Sequence, residues 1–79
     1  MTNRIVLDPE ICHGKPTIKG TRVLVSVILE FIEEATSYEE IIDAFPSITK
    51  DDITAAIKYA KQVVEGTHFD NYTIAEIST

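Results

Sequence analysis

Ser37-Tyr38-Glu39-Glu40-Ile41-Ile42-Asp43-Ala44-Phe45-Pro46-Ser47-Ile48-Thr49-Lys50-Asp51-Asp52-Ile53 contains two helix starts separated by a stop. The Ser37 hydroxyl stands where it can accept from the third amide of a helix, and Glu40 stands where it can reach back, which is a capping box. Tyr38, Ile41, Ile42 and Phe45 follow at i, i+3, i+4 and i+7, the stripe of a helix about two turns long. Pro46 ends it by disfavouring helical geometry at Phe45. Thr49 then caps a further helix, with Asp51 and Asp52 set against the positive end of its dipole.

That further helix is expected to run from about 50 to 65, with Ile53, Ile57, Ala60 and Val64 as its core stripe and Gly66 as a left-handed stop. Upstream, Val25, Ile28, Leu29 and Ile32 repeat the helical period, and Val27 and Phe31 widen the apolar face. Three helices result, the last two joined by Pro46-Ser47-Ile48, a connection short enough to fix their angle. The expected fold is mainly α: a three-helix helix-turn-helix of homeodomain-like or winged-helix-like kind. Arg4-Ile5-Val6-Leu7 and Pro16-Thr17-Ile18-Lys19 are β-favouring runs that add a short N-terminal β-ribbon. Residues 1–66 make one domain and residues 67–79 a C-terminal tail.

Lys50, Thr54, Lys58 and Lys61 fall at i, i+4, i+8 and i+11 of the last helix, on one strip beside its apolar stripe. Such a strip suits DNA phosphates or base edges, and equally suits a solvated face paired to carboxylates. Gly14-Lys15-Pro16-Thr17-Ile18-Lys19-Gly20-Thr21-Arg22 concentrates two glycines and three cations. Its alternation projects Lys15, Thr17 and Lys19 from one side of an extended strand, either as a phosphate-contacting arm with Arg22 or as a polar edge that discourages aggregation. Its glycine and lysine spacing differs from that of nucleotide-binding loops.

The 79 residues carry a net charge of −6. The balance is uneven: residues 1–22 hold four cations and two carboxylates, a net of +2, and residues 23–79 hold three lysines and eleven carboxylates, a net of −8. A basic arm on an acidic body suits local DNA contact, or an acidic module for a protein partner. The single Cys12 leaves no internal disulfide and no cysteine-based zinc site, so a reducing, cytoplasmic setting is expected. The apolar runs are too short for an export signal or a membrane span. Help from a homodimer partner fits so small a core.

Cys12 and His13 are adjacent, so in an extended segment they face apart and make no nucleophile and base pair; His68 has no evident partner. The pairs Glu33-Glu34, Glu39-Glu40 and Asp51-Asp52 sit at helix starts or on polar faces rather than in a metal-binding pattern. No enzyme, cofactor or metal is expected. Phe69, Tyr72, Ile74 and Ile77 make the tail richer in apolar side chains than a typical disordered end, so residues 67–79 are either a candidate partner-binding segment or an ordinary frayed or self-packed end.

The run from Asp8 to Val23, with its Gly14-Lys15-Pro16-Thr17-Ile18-Lys19-Gly20-Thr21-Arg22 core, together with Ser37-Tyr38-Glu39-Glu40-Ile41, Phe45-Pro46 and Ala56-Ile57-Lys58-Tyr59-Ala60, resembles the family of domain of unknown function 433. The resemblance spans most of residues 5–64. It implies a small prokaryotic helix-turn-helix protein acting as an antitoxin beside a PIN-like nuclease toxin and binding its own operator as a dimer. Ala35-Thr36 departs from the family, whose members commonly carry glycine ahead of the second cap.

Overall fold

The computed structural model describes residues 4–66. The order is β1 (Ile5–Val6), a single 3-10 turn (Cys12–Gly14), β2 (Thr17–Ile18), α1 (Val25–Glu33), α2 (Tyr38–Ala44) and α3 (Lys50–Glu65). The three helices and the ribbon confirm a mainly α domain. β1 and β2 pair antiparallel, with Ile5 opposite Ile18 and Val6 opposite Thr17. Leu24 adds a bridge to Thr17, and the Ile18 N–H donates to Val23 O at 3.0 Å, so residues 23–24 lie along the other edge of β2.

A tight turn links β2 to that edge. The Thr21 N–H donates to Ile18 O, and Gly20 has φ +80°, the left-handed value a type II turn needs at its third residue. The Thr21 hydroxyl donates to Ile18 O at 2.8 Å and accepts from Val23 N at 3.0 Å, which locks the turn. The Gly-Thr-Arg core is thus a hairpin rather than a free arm. Thr17 is fully buried while Lys15 and Lys19 are exposed, which overturns the expected Lys15, Thr17, Lys19 alternation. β2 is sandwiched, so both Thr17 and Ile18 point into packed surroundings.

Both expected caps form. Ser37 and Glu40 exchange hydrogen bonds at the start of α2, as do Thr49 and Asp52 at the start of α3. Ile48 is buried in the α2–α3 connection, and the rings of Phe31 and Phe45 meet edge to face at 5.9 Å, pinning α1 against the end of α2. The core gathers Ile18, Val23, Val25, Ile28, Ile41, Ile48, Ile53 and Ala56 from β2, the three helices and their connections, and β1 adds the half-buried Ile5.

Three expectations are corrected. The buried face of α3 is Asp52, Ile53, Ala55 and Ala56, whereas Ile57 is 36% and Val64 60% exposed. α3 outruns the body it packs on, its residues 61–66 all being exposed, and β1 packs against it as well. Gly66 is right-handed, at φ −80°. The left-handed helix end belongs to α1, where Ala35 has φ +61°. There the Ala35 N–H donates to Ile32 O and the Thr36 N–H to Phe31 O, both at 2.9 Å, a Schellman motif with alanine where glycine is favoured. Cys12 and His13, finally, are not extended: both have positive φ within the 3-10 turn.

Candidate nucleic-acid interface

α3 follows α2 across a short connection anchored by the buried Ile48 and carries Lys50, Thr54, Lys58 and Lys61, all four exposed. At roughly 100° per residue they span about 80° of the helix circumference. The side of α3 away from the core is therefore where the sequence placed it. Arg4, which the sequence gave no role, closes this face from the ribbon. Its guanidinium donates to the Asp52 carboxylate at 3.0 Å and stands 3.6 Å from Asp51. Arg4 borders β1 with nothing in its spacing to α3 to give it away; only the packing of β1 on α3 brings them together.

The resulting groove, about 500 Å³, is lined by Arg4, Asp51, Thr54, Ala55, Lys58, Lys61, Gln62 and Glu65. Its charges are mixed. Lys61 lies 3.9 Å from Glu65 and Lys50 lies 3.7 Å from Glu39, with all four side chains largely exposed. Exposed pairs of this kind hold their partners weakly and yield to a competing phosphate. Among the described residues Lys58 makes no ion pair, so it is the cation on α3 readiest for an anion.

The other proposed contacts divide. The Lys19 N–H donates to Arg4 O at 2.7 Å, which sets Lys19 on the ribbon edge next to Arg4 and so adjoining the α3 face. Lys15 is exposed beyond the 3-10 turn, with no contact that joins it to α3. Arg22 is exposed on a different surface, a groove that also holds Phe45 and Ser47. Phe69, Tyr72, Ile74 and Ile77 lie outside the described residues.

Among the described residues no group of three His, Cys, Asp or Glu side chains is placed to hold a metal ion. Cys12 directs its thiol to Arg22 O at 3.7 Å. No helix among the described residues is long and apolar enough to cross a membrane.

The family profile described as "Protein of unknown function (DUF433)" matches residues 5–60. The chain belongs to this family. A crystal structure of a DUF433 member from Anabaena variabilis has the same fold, with a TM-score of 0.73 and 28% identity over 81% of this chain. This chain spans 63% of that protein's length. The search of curated proteins returned no match. The DUF433 match ends within α3, so the exposed last turns of that helix lie beyond it.

Proposed function

We propose that this DUF433 chain is a DNA-binding antitoxin and transcriptional regulator of a type II toxin–antitoxin pair, working in the cytoplasm as a homodimer and not as an enzyme. α3 enters the major groove of the operator. The tail, through Phe69, Tyr72, Ile74 and Ile77, engages a PIN-like nuclease toxin. The observation that carries the DNA reading is the exposed row Lys50, Thr54, Lys58 and Lys61 on the second helix of a helix-turn-helix, with Lys19 and Arg4 beside it. The toxin assignment rests on family resemblance alone.

The test is fluorescence anisotropy on the DNA upstream of the chain's own gene at several salt concentrations. Each phosphate contact removed flattens the salt dependence by roughly one unit of log–log slope, so Lys58→Ala and Lys61→Ala together lower it by about two. No binding at low salt rejects the DNA reading.

A second reading has its own support. The net charge of −6, with Lys50, Lys61 and Arg4 each next to a carboxylate, favours an acidic module that binds a protein and no DNA. A binding partner recovered by this chain whose affinity is unchanged in the Lys58→Ala and Lys61→Ala variants, in the absence of DNA binding, selects it.

A further inference from the structure

Arg22 borders a second groove, which shares no residue with the groove beside α3. It holds about 750 Å³, and the half-buried Ile11, Leu24, Val27 and Phe45 form its apolar walls. Arg22 is the only charged group of the lining and makes no ion pair among the described residues. The apolar surface continues past the groove: Phe31, one turn beyond Val27 on α1, meets Phe45 edge to face and is itself half-buried. α1 thus has two apolar faces. Val25 and Ile28 point into the core, whereas Val27, Phe31 and Glu34 fall at i, i+4 and i+7, within about 60° of one another and roughly 120° around the helix from the buried pair. The far end of this second face has a charge that suits no isolated helix. Glu33 and the capping Glu34 stand at the negative end of the helix dipole, and the last turn holds no basic residue. Glu34 is exposed and makes no ion pair among the described residues. A cation without a carboxylate therefore lies before the start of α1 and a carboxylate without a cation at its finish, with an apolar strip between them.

We propose that this surface binds the same surface of a second copy, the two α1 helices lying antiparallel across a two-fold axis. The proposal rests on the homodimer reading and names its contact. The nine residues of α1, about 14 Å of helix, keep Arg22 and Glu34 apart within one molecule. Between two molecules they meet. In the register that sets Val27 against the partner's Phe31, Leu24 comes opposite the partner's Glu34, and Arg22, two residues earlier, lies beside that carboxylate. The axis repeats each contact, so an Arg22 pair at either end flanks the central Val27 and Phe31 side chains, and the assembly closes at two copies. The occupant follows from the charge pattern: cation, apolar strip and carboxylate come in an order that is complementary to its own reverse. The seam adds to the exposed Val63 and Val64 at the end of α3, which by themselves give a second copy too little to bury. None of Lys50, Thr54, Lys58 and Lys61 belongs to it.

The experiment is sedimentation equilibrium on the full chain, with no DNA present. Arg22→Glu and Glu34→Arg are each expected to raise the dimer dissociation constant by about tenfold or more, since either one sets like charges together at both ends of the seam. Both positions are exposed, and Glu34→Arg places a cation where the helix dipole favours it, so far-UV circular dichroism is expected to stay unchanged. An equimolar mixture of the two variants is expected to recover wild-type dimerisation, because a mixed pair brings only opposite charges into contact. A mixture that associates no more tightly than the variants alone overturns the proposal. So does a wild-type dimer that both substitutions leave intact, a result that keeps the homodimer and moves its contact. A wild-type chain that is monomeric throughout overturns the seam and the homodimer together. DNA binding enters none of these readouts, so that reading fails separately.

Discussion

Ala35 holds the end of α1 in a conformation that suits it poorly. An L-residue in the left-handed region costs about 1–2 kcal/mol, which glycine avoids, although glycine also loses about 0.4–1 kcal/mol through its freer unfolded chain. Ala35→Gly is therefore expected to stabilise the domain by about 0.5–1 kcal/mol, read as a rise in urea midpoint at unchanged m-value. Ala35→Val is expected to lower the midpoint. A second residue-scale test contrasts two neighbours. Asp52 is 7% exposed, accepts from Thr49 N at 2.9 Å to complete the α3 cap, and receives Arg4. Asp52→Ala should cost about 1–3 kcal/mol, because it removes the carboxylate half of the capping box and with it the acceptor of the Thr49 N–H, while Thr49 still caps residue 52. Asp51→Ala, at an exposed position, should leave the midpoint where it is.

At the scale of elements, α2 and the start of α3 were legible because capping is local chemistry. Ser37 with Glu40 and Thr49 with Asp52 act within three residues, and Pro46 acts on its neighbour, so no distant contact is needed to place these ends. The buried face of α3 was not legible in the same way. Period 3.6 finds an apolar stripe at Ile53, Ile57, Ala60 and Val64, but which part of a helix is covered depends on how far the other elements extend beside it. Here they cover its first half. Ile53→Ala is expected to cost about 2–5 kcal/mol, as deletion of a fully buried side chain does. Ile57→Ala, by the same denaturation measurement, should cost less than half of that. Comparable losses at both positions would contradict the burial described.

Taken as a whole, the molecule keeps apolar surface where α3 leaves the body: Ile57, Val63 and Val64 are all at least 36% exposed. The proposed homodimer would draw on this end. A stable interface buries roughly 800 Å² per partner, more than three side chains supply, so a second copy has to engage further surface as well. Val63→Lys/Val64→Lys is expected to shift a dimer toward monomer in sedimentation equilibrium while leaving far-UV circular dichroism unchanged. A mass independent of these substitutions would move the dimer contact elsewhere. The proposed DNA face, formed by α3 with Arg4 and Lys19 beside it, and the Arg22 groove, formed by the turn after β2 with Val27 and Phe45, share no lining residue. Lysines and Arg22 that looked like one basic set in the chain are thereby divided between two surfaces.

Chain order alone set the number of helices, their starts, the stop at Pro46 and the lysine row on α3, because each follows from interactions spanning one or two turns. The side of α3 that is buried, the arrival of Arg4 at Asp52, the inward turn of Thr17 and the left-handed bend at Ala35 arose only when the ribbon and helices packed together. Those features come from residues far apart in the chain competing for the same space, and no local period encodes the outcome of that competition.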